Sequence, residues 1–161
     1  MKMYSIAIFH EAQKHCRWKK VLTNVLKEIN ISIYENKTFE QIIIDIHSIC
    51  KNIRGIGILA VYDITSAICR FYKINIDKVY IIGNGPKRAV KLLNLATKNH
   101  TINADIKIKY VDVDEIISAF DKESVALDEN IRNNKNGDVF ETFLCNWQKM
   151  NSEILSIYNY E

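Results

Sequence analysis

Glycine occurs five times and proline once in 161 residues. A chain so poor in both has no Gly/Pro/Ser linker, and no repeat or low-complexity tract marks a boundary, so a single domain over 1–161 is expected. The four cysteines, Cys16, Cys50, Cys69 and Cys145, form no CxxC or CxxH pair. That spacing argues against a zinc or iron–sulfur site and for buried free thiols. His10 and His15 lie five apart without an HExxH frame, so no metal or other cofactor is expected. The apolar start of the chain breaks at His10, short of a signal-peptide core and far short of a membrane span. A cytoplasmic protein with no membrane partner is the expectation.

Charge is plentiful but uneven. Residues 45–100 hold nine Lys/Arg against three Asp/Glu, and residues 111–161 hold four against eleven. The first stretch suits a phosphate-bearing ligand, and the acidic C-terminal part suits a basic protein partner.

Apolar periodicity is mostly helical. A stripe over 15–30 (Trp18, Val21, Leu22, Val25, Leu26, Ile29) predicts an amphipathic helix, and 4–13 reads as a helix or strand. Thr38 and Gln41 form a capping-box pattern that opens a helix over 38–51. A largely buried helix is expected over 58–72 and a last one over about 138–157, after the NNKNGD turn cluster. Pro86 fits the first turn of another helix, capped by Asn84 or Gly85, whose apolar face runs from Ala89 to Ala96. Residues 105–113 alternate like a strand or form a loop into a helix at Asp114. The fold class expected is mainly α, with at most one or two short strands.

Two of the five glycines stand close together in Ile53-Arg54-Gly55-Ile56-Gly57, between two predicted helices. A turn this tight calls for φ > 0 and close backbone approach, and both favour glycine. Ile56 would plug the gap between the helices, and the second helix would open with its N–H groups outward, able to hold a phosphate.

This pattern resembles the helix-hairpin-helix motif of DNA glycosylases and repair scaffolds, hydrophobic–Pro–Gly–hydrophobic–Gly between two helices. The likeness covers about residues 38–72. It implies sequence-independent contact with a DNA backbone phosphate through Gly55 and Gly57. Arg54 takes the place of the usual proline and could add a contact. Ile58 and Leu59 stand where DNA-binding members often carry polar or basic residues, and an apolar pair there would bury the hairpin. The Schiff-base lysine of bifunctional glycosylases is replaced by Leu59. The resemblance places a glycosylase's catalytic aspartate at Asp77, twenty residues after Gly57; a residue capping a helix at 78 is the plainer reading. The run GIGILAVYD with the later KVY and FLC is also similar to a family of small bacterial proteins, a likeness that brings no catalytic residue.

GNGPKRAVK is a second candidate anion site. Lys87 and Arg88 would sit in a first helical turn, where cations are disfavoured unless an anion binds, and Lys91 follows one turn later on the same side. It matches neither a P-loop nor a dinucleotide fingerprint. The leading expectation is therefore a helix-hairpin-helix protein that binds nucleic-acid backbone. The alternatives are a monofunctional glycosylase using Asp77, or a non-catalytic interaction module.

Overall fold

In a computed structural model of the chain, residues 29–158 are described, with side chains as far as residue 150. The helix expected over 15–30 and the segment 4–13 therefore lie almost entirely outside the described residues. So do Cys16, His10 and His15.

The chain is mainly helical with a few short strands, and it divides into two compact units, Met1–Asn75 and Ile76–Glu161. In the first, a 3-10 turn (Ile31–Tyr34) precedes α1 (Phe39–Cys50) and α2 (Ile58–Phe71). The capping box forms as the sequence predicts. Thr38 Oγ1 accepts from the Gln41 N–H at 3.4 Å, and Gln41 Oε1 accepts from the Thr38 N–H at 3.0 Å. Phe39, Ile42, Ile43, Ile46 and Cys50 repeat every three or four residues and are all buried. α2 is buried at every position from Val61 to Cys69 except Asp63, which is half-buried. A helix apolar on all sides belongs in an interior. Thr65 hides its hydroxyl by donating to the Val61 carbonyl at 2.8 Å. The Phe39 and Tyr62 rings meet edge to face at 6.1 Å between centroids. Burial pushes the Cys50 thiol above its ordinary pKa, which suits an inert core residue.

The second unit holds β1 (Lys78–Tyr80), α3 (Asn84–Leu92), β2 (Lys98–Thr101), β3 (Lys107–Asp112), α4 (Val113–Lys122), α5 (Glu129–Asn134) and α6 (Gly137–Tyr158). Among the described residues three short strands form, where at most one or two were expected. Residues 105–113 resolve in favour of a strand running straight into a helix. The sheet is antiparallel in the order β1-β3-β2, with Val79 opposite Val111, Tyr80 opposite Tyr110 and Lys98 opposite Tyr110. Val79 and Val111 point from one sheet face into a core with Val90, Ile116, Phe120, Phe140 and Leu144. Phe120 lies edge-on to Phe143 and Trp147 at 5.4 and 5.0 Å. Removing a ring such as Phe140, fully buried here, would cost about 3–5 kcal/mol.

The other sheet face carries polar side chains. Tyr80 Oη and His100 Nδ1 are 2.9 Å apart and their rings are stacked. Asp112 begins α4, its N–H donating to Glu115, and Lys98 pairs with both carboxylates. These partners raise the Lys98 pKa.

Glycine does not end these helices. α2, α3 and α4 each close with a non-glycine residue in the left-handed region: Lys73 at φ 55°, Asn94 at 51° and Ser124 at 54°. The paired bonds of a Schellman motif are present at each. They run from Ile74 N–H to Cys69 and Lys73 N–H to Arg70, from Leu95 to Val90 and Asn94 to Lys91, and from Val125 to Phe120 and Ser124 to Asp121.

Candidate nucleic-acid interface

The hairpin forms at the place the sequence indicates. α1 ends at Cys50, the Ile53 N–H returns to the Cys50 carbonyl at 2.9 Å, the Ile56 N–H bonds Ile53, and α2 begins at Ile58. Its two glycines differ in kind. Gly55 has φ 91°, so the turn requires glycine there. Gly57 does not occupy the expected left-handed position. It is the N-cap of α2 at φ −102° and ψ −179°, extended backbone open to any residue. A β-carbon at Gly57 would meet nothing within 4 Å. Packing and backbone geometry thus leave Gly57 unexplained among the described residues.

No side chain caps α2 among the described residues, so its first N–H groups keep their partial positive charge. Arg54, Gly55 and Gly57 are exposed, and Ile56 is half-buried. Ile58 and Leu59 are 38% and 45% exposed, so the apolar pair does not bury the hairpin.

The second candidate changes character. α3 starts at Asn84 with Gly83 as its N-cap, rather than with Asn84 or Gly85 as cap. Lys87 and Arg88 therefore fall beyond the first three helical positions, and Lys91 falls in the last turn, where the helix dipole favours a cation. All three are exposed. The expectation that only a bound anion could justify these cations loses its basis. Gly85 serves the packing of two helices. A β-carbon there would stand 2.7 Å from Cys145 Sγ, so its absence lets α3 close on α6.

Asp77 precedes a strand, so it caps no helix at 78. It is exposed, and its carboxylate pairs with Lys78 Nζ at 2.8 Å. Two further features join residues far apart in the sequence. One is the Tyr80–His100 stack, whose partners are twenty residues apart. The other is Gly137, buried where α6 meets β1. The first follows from the pairing of β1 and β2 with β3, the second from the packing of α6 against β1 and the residues before it.

Among the described residues, no group of three His, Cys, Asp or Glu side chains could hold a metal ion. No helix among them is long and apolar enough to cross a membrane. Comparison of the chain with protein-family models, curated proteins and solved structures finds no match.

Proposed function

We propose that the protein binds the phosphate backbone of nucleic acid through the hairpin at 51–57. One observation carries this reading: among the described residues nothing in conformation or packing requires glycine at position 57, yet it stands at the opening of α2, where no described side chain caps the helix. A bare backbone there lets an anion reach the N–H groups of the first turn. Arg54 supplies a charge-assisted contact from the same turn. Lys87, Arg88 and Lys91 are proposed as further phosphate contacts on α3.

Binding of this kind is indifferent to sequence and falls steeply with salt. Fluorescence anisotropy with a labelled duplex at two salt concentrations tests it. Gly57→Ser supplies a hydroxyl that competes for the same N–H groups, so binding weakens while the fold is kept. Replacing Lys87, Arg88 and Lys91 together by Ala lowers the log–log salt slope by up to about 2–3. Absence of any binding at low salt ends the reading.

The glycosylase alternative draws no support from an exposed Asp77 already paired with Lys78. An interaction module remains the second reading. It draws on the exposed carboxylates on and beside α4 and α5, among them Asp114 and Glu129 within the helices and Glu123 and Asp128 at their caps.

A further inference from the structure

Ile58 and Leu59 open α2 directly beyond Gly57, and both project substantially into solvent. Residues 46–62 contain exposed Lys51 and Arg54 and no Asp or Glu. Two cations, an uncapped helix start and two apolar side chains therefore share one short exposed stretch. A ligand that satisfies all of them must carry negative charge and offer an apolar surface within a side chain's length of it.

An intact duplex meets only half of that requirement. Its phosphates are accessible, but the apolar faces of its bases are hidden in the stack. An unstacked nucleotide offers both, because every base has a face on which an apolar side chain can lie. A bilayer also combines phosphate with hydrocarbon, but interfacial binding scales with the apolar area buried. Two partly exposed side chains match one base better than a membrane.

Resting on the phosphate-binding reading above, we infer that the hairpin selects nucleic acid with unstacked bases, single-stranded or gapped, over intact duplex. Ile58 and Leu59 lie against the base while the α2 N-terminus and Arg54 hold the neighbouring phosphate.

The test is anisotropy at one salt concentration with three labelled probes: a mixed-sequence single strand, its duplex, and that duplex with a short gap. The single strand and the gapped duplex are expected to bind at least about tenfold more tightly than the intact duplex. Ile58→Ser with Leu59→Ser should remove that preference, so that the three probes bind within about twofold of one another. Ile58→Met with Leu59→Met keeps the apolar surface and should keep the preference. Equal affinity for the three probes overturns the inference while salt-dependent duplex binding leaves the phosphate reading standing. A preference that survives the double serine variant overturns it as well. No binding to any probe removes both readings. Stronger binding to phosphatidylserine vesicles than to any probe, lost in the double serine variant, assigns the patch to a lipid surface and overturns it too.

Discussion

A β-carbon on Gly137 would stand 2.0 Å from the carbonyl oxygen of Lys78. The Gly137 N–H donates to the Ile76 carbonyl at 2.6 Å, so the first residue of α6 is clamped against the backbone that leads into β1. Asn136 completes the junction by accepting the Asp138 N–H at 2.9 Å. Gly137→Ala must push one backbone segment away from another. A cost of about 1–3 kcal/mol is expected, as for overpacking elsewhere. Urea denaturation with an unchanged midpoint would show that α6 does not approach β1 so closely.

The contact between Gly85 and Cys145 makes a gentler version of the same prediction. Here the nearest obstacle is a sulfur at 2.7 Å, with backbone at 3.3 Å behind it. Gly85→Ala should destabilise the fold, and less so when Cys145 is also Ala. The double-mutant cycle is expected to show a coupling of at least about 0.5 kcal/mol, typical of residues in contact. Strict additivity would place the two residues apart.

The hairpin glycines should respond in opposite directions. Gly55→Ala forces a β-carbon into the left-handed region and should cost about 1–2 kcal/mol. Gly57→Ser adds a better N-cap and removes glycine's freedom from the unfolded chain, so a gain of about 0.5–1 kcal/mol is expected. Thermal melts of the two variants decide the matter. Destabilisation by Gly57→Ser would contradict the extended geometry found at that position.

Asp121 and Arg132 form a two-pronged ion pair at 2.5 and 3.1 Å. The hydrogen bond from Arg132 is the main cause holding the Asp121 carboxyl below its ordinary 3.8. A depressed folded value means that the pair's contribution is present above 3.8 and is lost as pH falls through the folded value. Asp121→Asn should therefore be less stable than the parent at neutral pH, and the gap should close in strong acid. Urea midpoints at the two pH values measure it. A gap independent of pH would mean that the pair adds nothing through its charge.

Signals local to a few residues were legible in advance. Thr38 and Gln41 announced the start of α1, Gly55 the hairpin, and the NNKNGD cluster the start of α6. Signals that depend on a distant partner were not. β1 and β2 are three and four residues long, too short for alternation to show. The apolar face of α3 continues in sequence to Ala96 because Asn94, which ends the helix in a left-handed turn, is not glycine. The sequence alone suggests for Gly57 the conformation that Gly55 has, since it shows that glycine is present but not why. Gly85 and Gly137 matter through Cys145 and Lys78, residues sixty and fifty-nine positions away. The exposure of Ile58 and Leu59 likewise follows from packing and not from their own apolar character.

The non-glycine helix ends leave room for engineering. Lys73, Asn94 and Ser124 each hold a backbone conformation that crowds a β-carbon, at a cost of roughly 1–2 kcal/mol in the general case and less for Asn. Glycine at these positions would relieve the crowding while the Schellman bonds stay in place. None of the three is itself a proposed contact, although Asn94 bonds the Lys91 carbonyl through its backbone N–H, which glycine keeps. Together they offer a way to a thermally hardened form, suited to crystallisation with candidate ligands, in which the proposed contacts keep their native chemistry.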